Sequence, residues 1–432
     1  MRRGIAASAL VAALAVSMAA CGSSGSTSNN GAPAAGASVD PAKVSGTVTW
    51  WDTSDAKAEA PTYQKVIADF QAKYPNVKVN YVNVPFDGAQ NKIKNAFSTG
   101  TDAPDVIRSE VAWTPELASL HYLAPLDGTL ALDKADDFLP NPVAATKYEG
   151  KTYAVPQVTD TMALFYNKKM FADAGIAKAP ATIDELKADA AQIKAKTGKT
   201  GMYLRGDDAY WTLSFLYGEG GDLVDAGSKT VTVDNPAGVK AFKTMKDLVD
   251  SGAAKTSVTD GWANMMSSFQ SGDTAMMING PWALATVNKG GDAFADKANL
   301  GIAVVPAGSG GQGAPQGGHS YAVYAGSKNV PASELFVQYM ASAEVQATLT
   351  KELGVLPTRK SVYAQPDVAS IDSVKFFKDA VDKAHQRPWI PEGGTLFAPL
   401  VTEYTAMLSG KETPEQAAKN TGDAYRKNLG WK

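Results

Sequence analysis

Cys21 is the only cysteine in this 432-residue chain. Whatever follows it folds without an internal disulfide or a thiolate metal site, so a packed apolar core has to carry the structure. Its neighbours divide the sequence further. Arg2-Arg3 precedes an Ala/Val/Leu run from Ile5 to Val16, and Met18-Ala19-Ala20 leads into Cys21 and a Ser/Gly/Asn-rich stretch ending at Gly31. These read as a charged n-region, a short apolar h-region, a small-residue cleavage site and a flexible tether. The apolar run is shorter than the ~20 residues a membrane span needs. The sequence predicts a leader over 1–20, a tether over 21–45 and a folded body from Gly46.

That body is long enough for two or three ordinary domains. A formal net charge of −3, which becomes more acidic once Arg2 and Arg3 are removed, argues against nucleic acid and against adsorption to an anionic membrane. The three histidines, His121, His319 and His385, are far apart, and no metal-ligand spacing joins them. No metal and no cofactor is expected, and a monomer is.

Gly46-Thr47-Val48-Thr49-Trp50-Trp51 reads as a buried strand. Tyr63, Val66, Ile67, Phe70 and Tyr74 then fall at helical spacing, and Val77 to Tyr81 alternates as a second strand. Ile93, Ala96 and Phe97 mark a helix, and Pro104 to Arg108 a third strand. This is the βαβ order of a mostly parallel sheet covered by helices. The order restarts downstream. Thr152–Val155 and Met162–Tyr166 read as strands around a polar kink at Gln157–Thr161. Thr182-Ile183-Asp184-Glu185 is a capping box, and Asn235-Pro236 pairs an N-cap with Pro at N1. Thr274–Ile278, Leu300–Val305 and Tyr321–Tyr324 read as strands, Gly308–Gly318 as a loop. Beyond Pro331 the chain reads as mainly helical, with a last cap at Thr413-Pro414-Glu415-Gln416. GxxxxGK[ST] does not occur.

Several local strings, in this order, are similar to one family over nearly the whole body. They are Thr47–Trp51 with Phe70-Gln71-Ala72-Lys73-Tyr74-Pro75, then Asp102-Ala103-Pro104-Asp105-Val106-Ile107, then Tyr166-Asn167-Lys168 after Pro156, and Phe269–Trp282 with its Asn279-Gly280-Pro281-Trp282 ending. The chain resembles the extracellular solute-binding proteins of ABC sugar importers, of the maltose/maltodextrin-binding type. The resemblance implies a two-lobed α/β periplasmic-binding-protein-like fold (type II), with the ligand in a cleft between lobes joined by crossing segments. Lobe 1 would take 46–158 and 317–362, and lobe 2 159–316 and 363–432. It implies two partners, maltose or a malto-oligosaccharide (or a related sugar) and the ABC permease subunits. Ala-Ala-Cys21 looks like the lipidated cysteine of a bacterial lipoprotein, which would anchor the chain at the outer face of the cytoplasmic membrane.

The residues fit that chemistry. A pyranose has an apolar face of C–H groups and a rim of hydroxyls, so it needs flat aromatic platforms and planar polar groups. Such mixtures follow strands here, where open α/β sheets bind ligands. By resemblance, Trp282 supplies an aromatic platform, Tyr210 and Asp208 contact sugar, and Asp160 is the acid of the first crossing. Arg108, Glu110 and Trp113 lie on the third-strand loop. Trp51, Asp52 and Asp55 end or follow the first strand. Gly317-Gly318-His319 opens the second crossing. In Pro388–Phe397, Glu392 and either Trp389 or Phe397 line the cleft. Trp262, Trp431 and the pairs Met265-Met266 and Met276-Met277 read as structural.

Two functions compete. A binding protein that delivers a sugar to a permease has whole-chain coverage. A tethered glycosidase needs paired carboxylates between aromatic walls, which Asp160, Asp208 and Glu110 supply in composition, but it has no motif of its own.

Overall fold

The computed structural model describes residues 40–432, and Cys21 with the expected leader lies outside the described residues. The sheets use β1 (Gly46–Asp52), β2 (Val77–Asn83), β3 (Val106–Glu110), β4 (Ala154–Thr161), β5 (Ala163–Asn167), β6 (Thr200–Arg205), β7 (Ala254–Ser257), β8 (Thr274–Asn279), β9 (Leu300–Ala303), β10 (Gln316–Val323) and β11 (Leu356–Pro357). A six-stranded sheet has the order β11-β4-β10-β3-β1-β2, and a five-stranded sheet the order β7-β6-β8-β5-β9.

The βαβ grammar holds where helices connect strands. β1 pairs in parallel with β2 and β3, and β6 with β7 and β8. Both sheets are nevertheless mixed, not mostly parallel. β10 runs antiparallel between β3 and β4, and β5 antiparallel between β8 and β9. The antiparallel strands are those by which the chain passes between sheets. Only Met162 separates β4 of the first sheet from β5 of the second, β9 leads back to β10, and β11 leads out again.

Two expected boundaries move for one reason. Gln157–Thr161 is not a kink but the second half of β4, and Gln316–Gly318 is not loop but the start of β10. Every residue of β4 is buried, and its backbone pairs with β10 on one side and β11 on the other. Polar side chains are tolerated in an interior strand when its backbone groups are satisfied in this way. The folded body also begins before the expected Gly46, because Asp40 caps a short turn over Pro41–Lys43 and Val44 is already buried.

Helix starts follow their caps. Asn235 accepts from Gly238 N at 2.8 Å, and Thr413 and Gln416 close a full capping box. At Thr182 the box is skewed. The hydroxyl accepts from Glu185 N at 3.1 Å, but the Glu185 carboxylate takes the amide of Ala181 instead of Thr182. Each sheet has its own packing. Trp50 is fully buried in the first, with Tyr63, Tyr81, Tyr321 and Phe336 around it at 5.4–5.9 Å. Met265, Met266, Met276 and Met277 fill the second. Among the described residues no helix is long and apolar enough to cross a membrane, and no His/Cys/Asp/Glu cluster could hold a metal ion.

Candidate functional site

The ends of β3, β4 and β10 meet the start of the helix Tyr210–Gly218, which packs on the second sheet. Glu110 is the last residue of β3 and lies opposite His319 of β10. Asp160 lies near the end of β4, opposite Gly317. The missing side chain at Gly317 matters, because a Cβ there would collide with both the Asp160 carboxylate and the Tyr210 hydroxyl. Glycine thus lets an acid from the first sheet and a phenol from the second converge on one strip of backbone. Gly318 has φ +137°, which few other residues adopt, and brings β10 close to the Val158 carbonyl.

Arg387 completes the group. It forms an ion pair with Glu110 and donates from Nε to the Gln316 carbonyl at 2.9 Å. Its guanidinium lies 5.3 Å from the ring centroids of both Tyr210 and Trp389, the distance of a cation–π contact. The other Glu110 oxygen accepts from Ala112 N at 2.9 Å.

Burial, with Glu110 nearby, pushes the Asp160 carboxyl up to about 7, against the pull of Arg387 and Arg108. Burial opposes the Arg387 cation, but Glu110 and Tyr210 outweigh it and hold its pKa above the ordinary value. Burial, then Arg108 and Arg387, hold His319 well below the usual imidazole value, so it is neutral. Burial also raises Tyr210, which stays a neutral phenol.

Several polar atoms here are buried without a protein partner: Tyr210 Oη, both His319 ring nitrogens, Trp389 Nε1 and both side-chain polar atoms of Gln316. Buried polar groups are satisfied in all but a few cases, so such a group of orphans, pooled between aromatic rings, suits a ligand rich in hydroxyls.

Aromatic walls flank the orphans. Trp282 sits in the turn Pro281–Ala283 after β8, half-buried, 6.2 Å from Tyr210 and 6.4 Å from Trp211. Arg205 stacks on Trp211 at 4.4 Å and on Trp262 at 5.7 Å, and pairs with Asp207 and Asp208. Asp208 also accepts from Tyr210 N at 2.9 Å, so it shapes the helix start, and burial raises its pKa against Arg205. On the first-sheet side Phe86 stacks on Trp113 at 5.4 Å and meets His319 edge-on at 6.0 Å.

The structure brings together Glu110, Asp160, Tyr210, Gly318, His319 and Trp389, with Asp208, Trp282 and Trp113 around them. It keeps others apart. Arg108 is inside β3, not on a loop, and its side chain is buried against Gln157. Asp52 is fully buried, held by Ser54 and by Tyr81 Oη at 2.7 Å. Trp51 is packed with Ile93, Phe97 and Trp113 under Lys92. Asp55 is exposed and accepts from Lys57 N and Ala58 N in the turn before the first helix. Phe397 packs on the core of the second sheet, and Glu392 is exposed. Sequence reasoning missed Arg387, Gln316 and Phe86. Arg387 stands two residues before Trp389 and Phe86 opens a Phe-Asp-Gly turn, but neither position carries a pattern that separates it from an ordinary surface residue.

Comparison with known proteins agrees on one family. The family described as bacterial extracellular solute-binding protein matches residues 54–347. The GacH receptor of Streptomyces glaucescens, crystallised unliganded and with acarbose and an acarbose homolog, is 58% identical. That match covers 90% of this chain and 100% of the receptor, with a TM-score of 0.88. Maltose-bound T. maritima MalE3 is 25% identical over 87% of this chain and 98% of that one, with a TM-score of 0.79. The diacetylchitobiose binding protein DasA of Streptomyces coelicolor is 28% identical over 99% of both chains.

Proposed function

This chain belongs to the bacterial extracellular solute-binding proteins, and we propose that its solute is a maltose- or maltodextrin-type oligosaccharide, acarbose-like analogues included. It captures oligosaccharide outside the cytoplasm for an ABC importer and is a binding protein, not an enzyme. The observation that carries the sugar assignment is the pool of unpartnered buried groups, Tyr210 Oη, His319, Gln316 and Trp389 Nε1, between the rings of Tyr210, Trp389 and Trp282. Hydroxyls would satisfy the orphans while C–H faces stack on the rings. Glu110 and Asp160 accept from hydroxyls, and Trp389, which adjoins the cluster, is favoured over Phe397 as the aromatic wall.

The lobes are read as 46–158 with 317–362, and 159–316 with 363–432. Their closure on the sugar brings Tyr210 to Asp160, with the hinge in the crossings around Met162, before Gln316 and after Pro357. Cys21 carries the lipid that holds the chain at the outer face of the membrane, and the loss of membrane retention in Cys21→Ser tests this.

Titration calorimetry over maltose, maltotriose, maltotetraose, acarbose and diacetylchitobiose tests the sugar assignment. Heat with the α-glucosidic ligands, which chromatography recovers unchanged, is expected. Binding of diacetylchitobiose alone, or of none of the five, would overturn it.

A further inference from the structure

The segment between the second-sheet core residues Phe377 and Leu396 crosses to the first sheet and returns. His385 N donates to the Ala314 carbonyl at 2.8 Å, and Gln316 N to the His385 carbonyl at 2.7 Å, so the segment runs beside the start of β10. Further on, the turn Pro391–Thr395 packs on the helix Trp113–Ser119 beside β3. Arg387 is the hub between these contacts. Its side chain, only 4% exposed, touches Glu110 of β3, Gln316 of β10, and the rings of Tyr210 and Trp389.

We propose that Arg387 is the positioning residue of the sugar cleft, holding Tyr210 and Trp389 as its walls and cancelling Glu110 so that Glu110 and Asp160 can face one cavity. The proposal deepens the sugar-binding reading and rests on it. Two carboxylates buried side by side repel unless a cation lies between them or one is protonated. The charged groups facing Asp160 are Glu110, Arg387, Arg108 and, at longer range, Glu59. Arg108 is committed to Gln157, Thr53 and Asp52. His319 is neutral, and Tyr210 and Tyr217 are protonated phenols. Arg387 alone is both in contact with Glu110 and next to the rings. A planar guanidinium suits the place, because it stacks with its faces while it donates from its edge.

The test uses Arg387→Gln, Arg387→Lys, Glu110→Gln and the double variant Arg387→Gln/Glu110→Gln. Maltotetraose dissociation constants are measured at pH 5.5 and 8.0, with melting temperatures of the ligand-free proteins. Arg387→Gln should bind at least tenfold more weakly at pH 8.0 and recover several-fold at pH 5.5, where one carboxyl takes a proton. The double variant should regain most of the loss at pH 8.0, since two neutral amides do not repel. Arg387→Lys, a charge without a plane, should follow the pH dependence of wild type yet bind more weakly. Wild-type affinity in Arg387→Gln, or an equal loss at both pH values that Glu110→Gln does not repair, overturns the proposal. If Arg387→Gln does not fold, Arg387→Lys decides alone, and wild-type affinity in it overturns the proposal. If wild type binds no sugar, the functional reading fails. The coupling of residues 387 and 110 in the ligand-free melting temperatures then judges the ion pair separately.

Discussion

Arg108 and Arg387 are both buried beside acids, and their surroundings differ. Arg108 donates to Gln157 Oε1 at 2.9 Å and to Thr53 Oγ1 at 3.5 Å, and the Gln157 amide donates to Tyr63 Oη at 2.6 Å. Asp52 beside it is taken by Ser54 and Tyr81, and Glu59 accepts from Asp55 N. Arg387 likewise has Glu110 and a carbonyl, but its neighbours Tyr210, His319, Trp389 and Gln316 keep polar atoms with no protein partner. Both regions are buried and charged, so neither property distinguishes a site. What does is where the unpartnered groups pool. Near Arg108 the acids are bonded and the orphans, Trp50 Nε1 and Tyr321 Oη, sit apart in a fully buried core, whereas those around Arg387 gather between aromatic rings at the ends of strands, where a ligand can satisfy them together.

The sharpest break of this contrast is Arg108→Met. It leaves Asp52 and Glu59 buried without their cation, and removing one partner of a buried pair costs roughly 3–5 kcal/mol. Urea denaturation should show a loss of that size. A loss no larger than that of a surface substitution, with weakened sugar binding instead, would move Arg108 into the site and erase the distinction.

Next in size is Trp282→Ala. Trp282 stands on a turn, is half-buried and only flanks the core. Truncation should weaken sugar binding by ~2 kcal/mol, more than tenfold, with little change in the ligand-free melting temperature. A variant that melts far below wild type but binds normally when folded would make Trp282 a core residue. Smaller still is Tyr210→Phe, which removes one orphan hydroxyl. Calorimetry should show a loss of about 1 kcal/mol in sugar affinity, while ligand-free stability holds or rises because no partner is lost. A fall in stability would mean that the hydroxyl is satisfied in the free protein.

The sequence made the closed parts legible and the open part only half so. Helix starts at Asn235 and Thr413 follow from their caps, because a cap is a local interaction within four residues. Strand edges were harder. Gln157–Thr161 and Gln316–Gly318 look like loop because polar residues and glycine disfavour strands, yet their pairing partners lie about 160 residues away and satisfy them. The cluster itself was visible through residue types that suit sugar, Tyr210, Asp160, Glu110, His319 and Trp389. Arg387 was not, since its meaning comes from Glu110, which is 277 residues distant and invisible to any local pattern. Arg108, Asp52 and Trp51 were drawn toward the site by the same logic in reverse. A polar or aromatic residue at the end of a strand has the right type for a ligand contact, and only the tertiary partners reveal that it is already occupied.

The smallest expected effect compares two carboxylates. Burial works against the Glu219 anion, but Ser309, Lys240 and Thr244 more than offset it and hold its pKa down at about 2. Asp160 has no such shell, and burial beside Glu110 pushes it up to about 7. The signs of their pH linkage are opposite. Glu219, depressed in the fold, adds stability above its unfolded value, and that stability is lost as pH falls toward 2. Asp160, raised in the fold, adds stability that is full below the ordinary carboxylate range and is lost as pH rises through about 7. Asp160→Asn removes this titration and keeps the shape. The melting temperature of Asp160→Asn relative to wild type should therefore climb between pH 5 and pH 8, by a few degrees at most. Glu219→Gln should instead lie below wild type at both pH values, by a nearly constant margin, since both ends of that window lie above its titration. If the Asp160→Asn difference stays flat or shrinks toward pH 8, Asp160 is already satisfied in the free protein, and the open region has one fewer group to offer a sugar.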